Sequence, residues 1–198
     1  MRNRFAFIFS LLLIATFQWS AGQSSNGLIK KDFNDYLNLL EQKQYKKSLD
    51  YVPAEVFEII PRDQMLAAME SVFQSPEVSM DMSNYKVDSI GNTQTVNNKK
   101  YVFLSYSFDM GMKYNIEEEE SAEDKTMRVN MMKGAFVQQF GKQQVSYDEK
   151  TEYFKIKVKS NAYAISGSEY DGWKFITIDK SQMQLLDKVL PQAIIDQL

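Results

Sequence analysis

The stretch YVFLSYSFDMGM, residues 101–112, carries the clearest structural pattern in the chain. Apolar side chains occupy every second position, and from Ser105 to Gly111 the residues between them are small or polar. A period of two sends alternate side chains to opposite faces of a β-strand. The apolar set is Val102, Leu104, Tyr106, Phe108, Met110 and Met112. We therefore expect a long strand with one face turned to the core.

A second alternating segment precedes this strand. Val78, Met80 and Met82 alternate with polar residues, and the segment DSIGNTQTVNNKK, residues 88–100, is rich in turn formers. This order predicts a long antiparallel hairpin that turns within Gly91–Asn98.

More strands follow later in the chain. VSYDEKTEYFKIKVK, residues 145–159, predicts a hairpin that turns near Asp148–Lys150, with its lysines on the solvent side. NAYAI, residues 161–165, and WKFITI, residues 173–178, predict another hairpin. The apolar residues expected inside are Phe154, Ile156 and Val158, and the lysines expected outside are Lys155, Lys157 and Lys159.

Helical spacing appears before, between and after the strands. Residues 29–40 and 129–140 place apolar side chains three and four apart, Pro53 and Pro61 suit helix starts, and residues 181–198 are again helical. We therefore expect an α+β fold, in which a curved antiparallel sheet packs against N-terminal, inserted and C-terminal helices. The expected organisation is a signal peptide at 1–22, a flexible leader at 23–27 and a single domain at 28–198.

The signal peptide is predicted from a tripartite pattern. Arg2 and Arg4 precede an apolar run from Phe5 to Phe17. Small residues follow this run and end at Gly22, after which cleavage is expected. A retained membrane anchor is the alternative, although the run is shorter than the roughly 20 residues that span a bilayer. Since the chain lacks sequons for N-glycosylation, a bacterial periplasm or exterior is the expected location, and we expect no transmembrane segment once the signal is removed.

Composition excludes several classes of function. The chain contains no His and no Cys, which excludes Ser-His-Asp and Cys-His catalysis as well as disulfides. Removing residues 1–22 deletes two arginines and no acid, so the net charge moves from −3 to −5. This charge argues against nucleic acid as a partner. We expect no cofactor and assign no catalytic residue.

Three segments resemble a family of uncharacterised exported proteins of Bacteroidetes-type bacteria. They are DFNDYLNLLEQKQYKKSLDYVPAEVFEII at 32–60, YDGWKFITI at 170–178 and VLPQAIIDQL at 189–198. The layout is also similar to NTF2-like and cystatin-like α+β folds, although the helix expected at Ser121–Phe140 departs from the usual NTF2-like order. The resemblance implies no known chemistry.

Two groups of residues are candidate binding sites. Five aromatic residues would line a cavity for a small apolar ligand, or else pack as ordinary core: Tyr106, Phe108, Tyr163, Trp173 and Phe175. Two Met-x-Met elements, Met80 with Met82 and Met110 with Met112, would supply thioether ligands for Cu(I) or Ag(I), or else fill the core.

The acidic segment EEEESAED, residues 117–124, favours a solvated junction between a strand and a helix over a metal site. Asn115 and Ser121 both suit the helix N-cap, and the sequence does not decide between them. As a whole, the sequence predicts an exported, non-enzymatic protein that binds a small apolar ligand or a protein partner. The alternative is an NTF2-like binding domain or enzyme that uses Asp and Tyr, for which Asp109 is the acid within the long strand.

Overall fold

The computed structural model describes residues 20–116 and 120–198, and it confirms the α+β class with an antiparallel sheet. The predicted signal peptide lies largely in residues 1–19, outside this range. The first helix already includes residues 23–27, which the sequence indicates as a leader. The elements in chain order are α1 (Ser20–Glu41), α2 (Tyr45–Ser48), α3 (Ala54–Ile59), α4 (Arg62–Phe73), β1 (Val78–Val96), β2 (Lys99–Tyr114), α5 (Ala122–Phe140), β3 (Val145–Asp148), β4 (Tyr153–Ser166), β5 (Lys174–Thr177), α6 (Met183–Val189) and α7 (Gln192–Ile195).

The hairpin between β1 and β2 forms as expected, but its turn is tighter than the sequence predicts. The turn consists of Asn97 and Asn98 alone, with φ of 51° and 63°. Positive φ at both central residues is typical of a type I′ turn, and asparagine tolerates this region better than most residues. Residues 91–96 are therefore strand rather than loop.

β4 lies inside the sheet and organises its far side. Its whole length from Phe154 to Ser166 pairs with β2 without a shift in register. On its other edge, β3 pairs with Tyr153–Ile156 and β5 pairs with Ala162–Ile165. The two hairpins expected around residues 145–178 therefore share one continuous strand.

Three irregularities bend β1 relative to β2. The register shifts between Ser83 and Lys86, between Val87 and Ser89, and between Ile90 and Thr93. Asn84, within the first shift, has a φ of 56°. Each shift inserts an extra residue into β1, which twists the strand and gives this edge of the sheet its curvature.

One face of the sheet is covered by α1 and α5. The side chains of Val102 and Leu104 on β2 pack with Phe33 of α1, and those of Phe154 and Ile156 on β4 pack with α5. These strand residues all have even numbers, and β2 pairs with β4 even to even without a register shift. They therefore lie on the same face of the sheet.

The opposite face of the sheet is apolar near the hairpin turn and polar further along the strands. Near the hairpin turn, Tyr101, Tyr163 and Ile165 pack under the C-terminal helices with Leu186 and Ile194. Further along the strands the same face is polar, and the predicted outward position of the three lysines is confirmed. We call this polar part the open face; its central residues are Ser105, Ser107, Asp109, Gly111, Lys155, Lys157 and Lys159.

A side chain of α1 ties this helix to the loop before β5. The backbone N–H of Trp173 donates a hydrogen bond to Oδ2 of Asp32, at 3.0 Å. Gly172 precedes it with a φ of 76°, and a Cβ at Gly172 would lie 2.9 Å from the same oxygen. The close approach of α1 to this loop therefore requires glycine at position 172.

Candidate functional site

The structure brings four of the five predicted aromatic ligand-binding residues together. Tyr106, Trp173 and Phe175 are buried in one cluster with α1, and Phe108 packs against it. The ring centroids of Tyr106 and Phe108 are 6.0 Å apart. Tyr163 lies on the other face, packed with the C-terminal helices. Direct ring packing favours ordinary core over a cavity at this position.

Asp109, the acid considered for an Asp/Tyr enzyme, lies apart from the aromatic cluster. It is the cross-strand partner of Lys157 on the open face, whereas Tyr106 and Phe108 point to the opposite face. Its carboxylate accepts a hydrogen bond from Nδ2 of Asn84, at 2.9 Å.

The open face contains a cleft that the sequence analysis did not identify. Its volume is about 580 Å³, which lies within the range of roughly 300–1,000 Å³ that is typical of small-molecule sites. The polar side chains of its lining come from β1, β2, β3, β4 and the turns beside β3: Asp81, Ser83, Asn84, Asp109, Gln143, Gln144, Ser146, Thr151, Tyr153, Lys155 and Lys157.

The register of three strands builds the floor of this cleft. Gly111 stands between Asp81 on β1 and Lys155 on β4, and is the cross-strand partner of both. The Asp81 carboxylate folds over the glycine, because a Cβ at Gly111 would lie 2.7 Å from its Oδ1. A side chain at position 111 would therefore displace this carboxylate and occupy the floor.

Charges of opposite sign line the two sides of the floor. Lys155 pairs with Asp148 at 3.0 Å. Within residues 20–116 and 120–198, neither Asp81 nor Lys157 forms an ion pair or a side-chain hydrogen bond. One carboxylate on the β1 side and one ammonium group on the β4 side are thus available to a ligand.

The acidic segment is a helix junction in its described part. The Ser121 hydroxyl accepts a hydrogen bond from the backbone N–H of Asp124, so Ser121 is the N-cap of α5. Asn115 instead bonds Ser79 and the carbonyl of Pro76. Glu120 is held by Arg128 through two hydrogen bonds of 2.8 and 2.9 Å. Residues 117–119 lie outside the described range.

An ion-pair network joins the β1–β2 turn to helix α3. Lys99 contacts the carboxylates of Glu55 and Glu169, and the Tyr170 hydroxyl donates to Glu55. Burial alone would raise the pKa of the Glu55 carboxyl, but the hydrogen bonds from Lys99 and Tyr170 lower it below its ordinary value. Glu55 therefore stays ionised and keeps the turn against α3.

Two tyrosines in different surroundings provide a test of the packing. The Tyr85 ring packs on Phe108 at 5.3 Å, and its hydroxyl is buried without a hydrogen-bond partner in the described chain. An unsatisfied buried hydroxyl costs roughly 1–3 kcal/mol, so Tyr85→Phe should raise the free energy of unfolding by about 1 kcal/mol. Tyr170→Phe, which removes the bond to Glu55, should lower it by about 1 kcal/mol. Urea unfolding followed by circular dichroism measures both; a stability loss in Tyr85→Phe would contradict the assignment.

Among residues 20–116 and 120–198, no three side chains of the His, Cys, Asp and Glu types are placed to share a metal ion. The helices of this part of the chain are too short or too polar to cross a membrane.

Comparison with known proteins adds no family. No protein-family model matches the chain, and no curated protein is similar to it. The resemblance to exported Bacteroidetes-type proteins and to NTF2-like folds therefore stays a prediction. Candidate functions rest on the open-face cleft and on the methionine pairs.

Proposed function

We propose that this chain is an exported, non-enzymatic binding protein that holds a small zwitterion, such as an amino acid or a short peptide, in the open-face cleft. The observation that carries the proposal is the placement of Asp81 and Lys157 on opposite sides of the Gly111 floor. Each charge lacks an ion-pair partner in the described chain, and a ligand with one ammonium and one carboxylate would pair with both.

The spacing of the strands suits such a ligand. Neighbouring strands lie about 4.8 Å apart, so the Cα atoms of β1 and β4 are separated by roughly 10 Å across β2. Asp81 is the cross-strand partner of Gly111, and Lys157 lies one row away as the partner of Asp109, so the two charged side chains flank the cleft from diagonal positions. The amides of Gln143 and Gln144 and the hydroxyl of Tyr153 supply further hydrogen bonds at the rim.

Binding without catalysis is supported by the exposure of these groups. Asp81 and Lys157 are both solvent-exposed. Enzymes of the Asp/Tyr type need a carboxylate in a water-excluded site, and Asp109 points away from the buried tyrosines. An open cleft with exposed charges can select a ligand but offers little exclusion of water.

Export to a bacterial periplasm or exterior is part of the same proposal. It is supported by the basic start, apolar run and small residues of positions 1–22. The absence of cysteine means that folding there needs no oxidation step.

The test is titration calorimetry with free amino acids and dipeptides, each compared with its N-acetylated and C-amidated form. We expect a subset of zwitterions to bind and both blocked forms to bind at least ten-fold more weakly. A hydrogen bond to a charged group contributes about 1.5–3 kcal/mol, and 1.4 kcal/mol is a factor of ten in affinity.

Variants then locate the site. Asp81→Asn and Lys157→Met should each weaken binding about ten-fold, and Gly111→Ala should weaken it by filling the floor. Lys159→Met is the matched control, because Lys159 lies on the same strand and face but outside the cleft lining. Equal loss in Lys159→Met, or no binding of any probe at 1 mM, would overturn the proposal; 1 mM corresponds to about −4.1 kcal/mol.

A further inference from the structure

Four methionines occupy two successive cross-strand pairs of the β1–β2 ladder. Met80 lies opposite Met112, and Met82 lies opposite Met110. Cross-strand partners share a face, and residues two apart on a strand share it too. All four side chains therefore project from one patch of the sheet, on the face opposite the open-face cleft.

The spacing of this patch suits convergence of the sulfur atoms. Directly opposed Cβ atoms lie about 4.5–5.5 Å apart, and successive residues on one face lie roughly 7 Å apart along the strand. Each thioether sulfur is two bonds beyond its Cβ, on a chain with three rotatable bonds. The four side chains can therefore lean toward the centre of this rectangle and bring their sulfurs together.

Core packing explains one of the four better than the others. Met110 packs against the buried cluster beneath α5. Met80, Met82 and Met112 are partly buried but belong to none of the three buried clusters, or their packed neighbours, in the described part of the chain. Packing within these clusters therefore accounts for Met110 but not for the other three methionines.

A small cavity borders two of these side chains. It measures about 40 Å³ and is lined by Met80 and Met82 together with the apolar or aromatic residues Leu40, Tyr45 and Phe73 and the charged residues Glu41, Lys43 and Asp81. A cavity of roughly 10–15 Å³ already holds a water molecule, so this space accommodates a single ion.

We propose that Met80, Met82, Met110 and Met112 form a thioether site for a soft monovalent cation, Cu(I) or Ag(I). Thioethers are neutral, need no deprotonation and select soft metals. The chain contains neither His nor Cys, so thioethers are its soft metal ligands. The site is separate from the zwitterion cleft, because the sheet itself lies between them.

The decisive measurement is NMR of the purified protein with ¹³C-labelled methionine methyl groups, titrated with silver nitrate. The chain has 11 methionines. We expect the resonances of the quartet to shift together and saturate at one Ag(I) per chain, while the other methionines stay unchanged. Competition with bicinchoninate under ascorbate should show Cu(I) binding to the same protein.

Matched variants separate this site from general methionine chemistry. Met82→Leu/Met110→Leu removes one cross-strand pair at nearly constant volume and should weaken Ag(I) binding at least ten-fold. Met127→Leu/Met131→Leu is the control, because these residues on α5 are 64% and 70% exposed. The proposal is overturned if Ag(I) shifts all exposed methionines alike, if it shifts none, or if both double variants bind equally well.

Discussion

Replacing Phe33 with alanine is expected to lower the free energy of unfolding by about 3–5 kcal/mol, as for other buried aromatic side chains. Phe33 is 1% exposed and, with Ile29 and Leu37, is one of the buried side chains through which α1 covers the sheet. Its ring lies 5.1 Å from that of Tyr106 and 4.8 Å from that of Phe175. Truncation would leave a cavity among rigid aromatic neighbours, which cannot collapse to fill it. Urea unfolding monitored by tryptophan fluorescence measures the loss.

Leu28→Ala is the matched control on the same helix. Leu28 is 55% exposed, so its truncation should change the free energy of unfolding by no more than about 0.5 kcal/mol. If Phe33→Ala were as mild as Leu28→Ala, α1 would not be a structural part of the core.

Leu186→Ala is expected to cost about 2–5 kcal/mol, the range for a buried leucine. Leu186 is 1% exposed and belongs to the cluster that α6 and α7 form over Tyr163 and Ile165. This cluster covers the face opposite α1, so the sheet depends on helices on both sides. The same urea titration measures it.

The double variant tests this two-sided arrangement. Phe33 and Leu186 belong to separate clusters on opposite faces of the sheet. Substitutions without shared partners usually add within about 0.3–0.5 kcal/mol, so the two losses should sum. A loss in the double variant well below the sum would mean that the two clusters are coupled through the sheet.

Regular side-chain patterns made the architecture predictable. Apolar residues recur at every second position from Val102 to Phe108, and β2 follows that pattern in one register with β4. The Pro53 and Pro61 positions also mark helix starts, with α3 and α4 beginning one residue later. Hydrophobic periodicity and helix-start residues depend on neighbours in the chain, so both can be recognised from the sequence alone.

The cleft could not be predicted because it depends on register between strands that are distant in sequence. Asp81, Gly111 and Lys155 meet only when β1, β2 and β4 align in one row. The bulge at Asn84 shifts which residues of β1 face each side of the sheet, so the pairing of β1 with β2 cannot be deduced from a regular alternation. Two features of the sequence indicate this floor when they are taken together. One is Gly111 between two methionines, and the other is the alternation of lysines in β4.

Tyr163 illustrates a different difficulty. If residues 161–165 (NAYAI) formed a separate strand, the Tyr163 side chain could lie on the same face as the aromatic residues of β2. In the structure β4 is continuous, and Tyr163 has the parity of Lys155 and Lys157 rather than that of Ile156. The odd-numbered residues of β4 are apolar and buried only where the C-terminal helices cover them. The local sequence does not show which face of the sheet those helices cover.

The two-residue turn at Asn97 and Asn98 has a consequence for the order of folding. Pairing β1 with β2 starts from a minimal loop and can extend outward one rung at a time, which for hairpins takes roughly 1–10 μs. Pairing β2 with β4 must first close a loop that contains all of α5, at a larger entropic cost. We expect the hairpin to be the early template on which the rest of the chain assembles, with the methionine pairs already in register before the cleft exists.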